Sequence, residues 1–150
     1  MRAVIQRVTR ASVTVGEEIV GSIGRGLCVL VGLHEDDNTA DVEYIVRKIL
    51  NTRLFESEGK KWDKSVKDLD LQVLSISQFT LYGAFKGNKL DFHKSMGNGR
   101  AADFYQDFLG QLRKEYKVDK IEDGRFGAMM SVEIVNDGPV TITIDSKNRS

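Results

Sequence analysis

The chain has one cysteine and one proline in 150 residues. A lone Cys28 excludes an internal disulfide, in keeping with a reducing compartment. It also sits within an apolar run, where a thiol packs as a small hydrophobe and is a poor nucleophile. Histidine is equally scarce. His34 and His93 lie far apart, and neither has a close-spaced cysteine or histidine, so no zinc site is expected. No Gly-x-Ser-x-Gly elbow is present, and "GRGLCVLVG" lacks the Lys-Ser/Thr end of a phosphate loop. There is no excess of either charge, with 22 basic residues against 22 acidic ones, which disfavours a protein that coats nucleic acid. No apolar run is long enough to span a bilayer, and the first residues contain no apolar signal core, so neither membrane insertion nor a signal peptide is expected.

What is present is the patterning of a single domain over residues 1–150. Arg2 to Val15 alternates as a strand, with Val4, Gln6 and Val8 on one face and Ile5 and Arg7 on the other. Gly16 to Glu18 reads as a turn, and "IVGSI" as a return strand. The unbroken run Leu27 to Leu33 reads as a strand buried on both faces. Val42, Ile45, Val46, Ile49 and Leu50 then form one face of a helix, with Asp37 or Asn38 as its N-cap. "RLFESEGKKW" reads as a hairpin turning at "SEGK". Leu71 to Leu81 is the strongest central strand. Tyr82 to Gly99 is a polar stretch without clear period, of a length that is often functional. A second helix over Arg100 to Tyr116 turns Ala101, Phe104, Tyr105, Phe108, Leu109 and Leu112 inward. "AMMSVEIV" and "VTITID" read as two strands joined by a turn at "NDGP", and the final five residues as a loose tail.

Two segments stand out against this background. "SQFTLYG", Ser77 to Gly83, closes a central strand with polar side chains at the point where a scaffold presents a site. "NDGPVT", Asn136 to Thr141, holds the only proline. Proline lacks an N–H and belongs at turns or strand edges, and on pattern alone its peptide bond is expected to be trans. Elsewhere, "EDD" (Glu35 to Asp37) reads as a helix-start bias. The lysines of "KGNK" and of Lys60-Lys61 read as solvated surface.

"SQFTL" followed in order by "KGNK", "DFH", "FGAMM" and "NDGPVT" resembles the D-aminoacyl-tRNA deacylase family, as does the opening "MRAVIQRVTRASVTV". The resemblance runs over essentially the whole chain. It implies a homodimer, acting without metal or cofactor in the cytoplasm, that hydrolyses D-amino acids, and glycine on the wrong tRNA, from the tRNA 3′ end. It implies a catalytic segment of Ser77, Gln78, Phe79 and Thr80. It also implies that the Gly138–Pro139 bond is cis and enters the partner subunit's pocket as a chiral filter, with Arg7 supporting it. Phe126, Gly127 and Met130 fall to the terminal adenosine. Two carbonyl oxygens aimed at the substrate's alpha-carbon would exclude an L side chain yet admit a D-residue or glycine. An aminoacyl ester is already activated, so the ribose 2′-hydroxyl is expected to assist water. Thr80 has no evident base to make it a nucleophile. Many members carry proline where this chain has Leu90 and within Gly97 to Gly99.

Two alternatives follow from the same residues. A related editing enzyme of the same fold removes L-alanine from a threonine tRNA, but carries a small residue at the place of Phe79. The other is a nucleic-acid-binding protein without catalysis. The expected architecture is α/β: a mostly antiparallel, barrel-like sheet, with two main helices packed on one side and sites at a dimer interface.

Overall fold

The structure is a computed structural model, and residues 1–149 are described. In chain order the elements are β1 (Arg2–Val15), β2 (Glu18–Ile23), β3 (Gly26–Gly32), α1 (Thr39–Asn51), β4 (Phe55–Ser57), β5 (Lys60–Lys64) and β6 (Gln72–Ser77). They continue with a 3-10 turn (Phe79–Tyr82), β7 (Ala84–Lys86), β8 (Lys89–Asp91), α2 (Asn98–Glu115), β9 (Ile121–Asp123) and β10 (Ser131–Asp145). The main sheet has the order β10-β1-β3-β6-β9, with β2 also paired to β1. It is mixed and barrel-like. β1 pairs antiparallel with β10, β2 and β3, whereas β3, β6 and β9 run parallel. Parallel neighbours need long crossovers, and α1 and α2 supply them.

Both faces of the sheet are buried. Leu27, Val29, Val31 and Val73 join the helices in one core, while Cys28, Leu74 and Ile76 turn into the curl of the sheet and form a second. This is why Leu27 to Leu33 is apolar without alternation. The helix α1 is capped as its sequence suggests. Asn38 Oδ1 accepts from the Ala40 N–H at 2.9 Å, and Asp41 Oδ2 accepts from the Asn38 N–H at 2.9 Å. Its face Val42, Ile45, Val46, Ile49 and Leu50 is buried. From α2, Ala101, Tyr105, Phe108, Leu109 and Leu112 are buried, and Phe104 is only half-buried. Fully burying a side chain of this size contributes about 1.5–3 kcal/mol. A buried bond of 2.6 Å between Ser75 Oγ and the Tyr105 hydroxyl ties β6 to α2.

Three sequence expectations are corrected. The central strand ends at Ser77, because the chain from Phe79 turns into a 3-10 helix rather than extending to Leu81. "NDGP" is not a hairpin. β10 is one continuous strand that pairs with β1 on both sides of it. The two residue steps from Gln6 to Val8 face five from Asn136 to Thr141, so the extra residues of β10 bulge out of the ladder. Finally, the tail is tied down. Ser146 is buried, and its hydroxyl accepts from the Met1 ammonium at 2.8 Å and donates to Asp41 Oδ1 at 2.7 Å. Ser150 lies outside the described residues. The polar stretch after Tyr82 also gains order, as the short β7–β8 hairpin.

Asp41 therefore sits within a buried polar knot. Met1 N pairs with Asp37 Oδ1 at 2.7 Å, and Lys147 Nζ with Asp41 Oδ2 at 3.0 Å. Burial raises the Asp41 pKa, but bonds from Ser146, from the Asn38 backbone and from Lys147 outweigh it and hold the carboxyl at about 2. A depressed folded pKa stabilises the native state fully above the unfolded value. That contribution is lost as pH falls from near 3.8 through about 2. Acid unfolding of the wild type followed by circular dichroism should steepen in this window, and Asp41→Asn should remove that part of the pH dependence. An identical acid limb in both proteins would contradict the assignment.

Candidate functional site

Where β3 and β6 end side by side, the sheet opens into a cavity of about 480 Å³. β6 delivers Ile76 and Ser77, and Gln78 and Phe79 follow as the chain turns. The turn is pinned from β3, because the Gln78 N–H donates to the Val31 carbonyl at 2.7 Å. It packs so closely over β3 that a Cβ on Gly32 would stand 2.9 Å from Leu81 Cβ and 3.2 Å from the Gln78 carbonyl oxygen. The opposite wall is Phe126 to Met130, from the segment between β9 and β10. The Phe126 ring lies 5.9 Å from that of Tyr105.

Of the residues singled out from the sequence, Ser77, Gln78, Phe79, Phe126, Gly127 and Met130 line this one cavity. Thr80 does not line it. Its Oγ1 accepts from Gln78 Nε2 at 2.5 Å, and neither a histidine nor a lysine bonds to it among the described residues. The sequence reading missed Met96, Asn98 and Met129 as lining residues, along with the contribution of Val31 and Leu33. The apolar continuation of β3 beside β6 was a signal for the last two, but the others sit in segments without period.

No titratable side chain lines the cavity among the described residues. Its polar groups are the Ser77 hydroxyl and the amides of Gln78 and Asn98, set among thioethers and the two rings of Phe79 and Phe126. Such a site can orient and desolvate a ligand, but it offers no acid or base. The one thiol near it in the fold is out of reach: Cys28 is fully buried, and burial pushes its pKa up to about 11.

Arg7, Gly138 and Pro139 are not part of this wall. Gly138 and Pro139 are exposed on the bulge of β10, and the bond between them is cis. Asn136 closes the base of the bulge: its Nδ2 donates to the Arg7 carbonyl at 2.9 Å and to the Val140 carbonyl at 3.0 Å. The Thr141 hydroxyl donates back to Asn136 Oδ1 at 3.1 Å. The Arg7 guanidinium is braced by the Leu54 carbonyl at 2.7 Å from its NH1. Its Nε lies 3.2 Å from Asp137 Oδ2, off the line of the N–H, so this contact is an ion pair rather than a directed hydrogen bond. Gly138 has φ +119°, and a Cβ there would meet Val140 Cγ2 at 2.9 Å and Arg7 NH2 at 3.2 Å. Only glycine fits this position without displacement.

The family model described as D-Tyr-tRNA(Tyr) deacylase matches residues 4–145. The chain belongs to this family. A Drosophila melanogaster protein named D-aminoacyl-tRNA deacylase is 60% identical over 146 residues, covering 97% of this chain and 92% of its own length. Among solved structures, one named c-Myc DNA Unwinding Element Binding Protein superposes with TM-score 0.93 at 56% identity, covering 97% of this chain and 98% of that one. A second, described as a probable eukaryotic D-amino acid tRNA deacylase, has TM-score 0.84 at 19% identity over 95% of this chain and 97% of that one, and so supports the fold alone. Within the deacylase family fold, the cavity wall and the β10 bulge are thus separate features of one chain.

The burial of Cys28 has a direct chemical readout. Iodoacetamide at pH 8 should leave the native protein unlabelled and modify it only on unfolding. Labelling of the folded protein at the rate of a free thiol would show that the inner core opens.

Proposed function

We propose that this protein is a D-aminoacyl-tRNA deacylase, hydrolysing the ester of D-amino acids on the tRNA 3′ end, and of glycine on a non-cognate tRNA. The observation that carries the mechanism is the cavity without a titratable wall. A site with no acid or base suits a substrate that is already activated and brings its own assisting hydroxyl. In this reading the terminal adenosine lies against Phe126, Gly127 and Met130, and the ester against Ser77 to Phe79, with Thr80 behind them on the turn. The 2′-hydroxyl of the ribose assists the attacking water. The N–H groups of Phe79 and Thr80 open the 3-10 turn, where no acceptor exists within the turn itself, and stabilise the oxyanion. The energetic contribution of the protein is then positioning more than proton transfer.

Selectivity comes from a second subunit. The protein acts as a homodimer in the cytoplasm, and the Gly138–Pro139 bulge of each protomer closes the cavity of the other. Its exposure in the single chain, the Asn136 bonds at its base and the Arg7–Asp137 ion pair support this role. A rigid backbone facing the alpha-carbon leaves room for hydrogen and not for an L side chain, so glycine passes with the D-residues. The bulk of Phe79, exposed at the cavity mouth, favours this specificity over L-alanine editing.

Two measurements test the reading. Thr80→Ala should keep single-turnover hydrolysis of D-Tyr-tRNA within roughly tenfold of wild type, because an unactivated hydroxyl is a weak nucleophile. A loss on the order of 10⁴ or more, as for a true nucleophile, would overturn substrate assistance. Gly138→Ala should impair discrimination between D-Tyr- and L-Tyr-tRNA, because its Cβ forces the bulge to shift. Fast release of L-alanine with idle D-Tyr-tRNA in the wild type would favour the L-alanine editing branch. Duplex DNA binding at physiological salt with no deacylation would favour a purely nucleic-acid-binding role, the one suggested for the 56%-identical protein by its name.

A further inference from the structure

An exposed apolar track leads away from the cavity mouth. It begins at Phe79, which lines the cavity and is 56% exposed. The Phe79 ring meets that of Phe92 edge-on, at 4.9 Å between centroids, and the Phe79 carbonyl accepts from the Ser95 hydroxyl at 3.1 Å. Phe92 and Leu90 are two residues apart on one extended segment, and both approach Gly83. Leu90 pairs directly with Phe85 across the β7–β8 hairpin, so the two side chains share a face. Leu90 is 49% exposed and Phe85 81%. Lys86 and Lys89 pair at the hairpin tip on the opposite face of this narrow ribbon, with Asp91, and Lys94 follows just beyond it. Three lysines face one acidic residue of the segment, Asp91, in a protein with no net charge. Lys86 lies 3.9 Å from Asp91, and Lys89 and Lys94 have no ion-pair partner among the described residues.

Rings and an aliphatic side chain on one face, with flexible cations at the tip of the same narrow ribbon, suit one class of ligand. Single-stranded nucleic acid stacks its bases on apolar rings and places its phosphates near ammonium groups, without sequence-specific hydrogen bonds. We propose that the track from Phe79 through Phe92 and Leu90 to Phe85, with Lys86 and Lys89, holds the unpaired nucleotides that precede the esterified adenosine of the substrate RNA. This rests on the function proposed above, because it is the RNA in the cavity that brings those nucleotides to the track. The cavity then reads the ester and its adenosine, while the hairpin holds the strand that enters it.

The test compares two substrates of the intact protein: D-Tyr-tRNA, and the D-tyrosyl ester of adenosine alone, which is too short to reach the hairpin. For Phe85→Ala the ratio of kcat/KM on tRNA to kcat/KM on the adenosine ester should fall about tenfold, the loss expected for one stacked base. Phe85→Trp should restore it. Lys86→Gln with Lys89→Gln should flatten the log–log salt dependence of KM for tRNA by about 0.7 for each phosphate that is no longer neutralised. An unchanged ratio and salt slope, with the wild type cleaving both esters, would overturn this inference and leave the deacylase reading standing. A wild type that cleaves neither ester would remove both. A shift of Phe85→Ala toward smaller mass in sedimentation would assign the track to a second copy of the chain, and would also overturn it.

Discussion

The strict alternation of side chains along a strand governs this molecule. β1 and β10 pair along almost their whole length, and each serves two different cores. Near the start of β1, Ala3 and Ile5 face the helices; further on, Val8, Ala11 and Val13 face the curl of the sheet. β10 does the same in reverse order, with Val132 and Ile134 packed on the inner core and Val140, Ile142 and Ile144 on the helical one. A period of two cannot change face without an extra residue. Both strands therefore break register at the same level, between Gln6 and Arg10 on one and Asn136 and Thr141 on the other. The bulge is the means by which one antiparallel ladder spans two cores. The Asn136 amide, bonded to two carbonyls, fills the hydrogen-bonding gap that the interruption leaves.

The same frame keeps the cavity and the bulge apart. The parallel β3–β6 pair ends at the cavity, where the Val31 carbonyl fixes the turn that carries Gln78 and Phe79. The β10 bulge projects from another part of the sheet and does not line that cavity. Among the described residues the cavity wall holds no acid, base or thiol, and the carboxylate of the bulge, Asp137, is paired with Arg7.

Much of this was legible in the sequence, for reasons that can be stated residue by residue. Helix α1 was readable because its apolar period and its Asn38 cap agree. The buried strand β3 was readable because both of its faces are apolar. The structure brings Ser77 to Phe79 together with Phe126, Gly127 and Met130 on one cavity and leaves Thr80 outside it. Asn-Asp-Gly-Pro reads as a hairpin because each of its residues favours a turn locally. Nothing local reveals that β1, at the far end of the chain, pairs with both flanks. Likewise Phe79 to Tyr82 carries strand-like residues, and its 3-10 turn is imposed by packing over Gly32. The order of the final residues depends on a buried ion pair whose partners, Met1 and Asp37, lie at the other end of the chain.

β10 stands at the end of the strand order, and its outer side has no partner strand among the described residues. A free edge of 15 residues, rich in valine, isoleucine and threonine, is the kind of template on which chains stack into aggregates. The bulge divides that edge into two short stretches whose faces point in different directions. Pro139 removes one donor from the row, and the backbone of Gly138 turns out of the sheet plane. The feature that lets the strand serve two cores thus also keeps its open side from being copied by another chain.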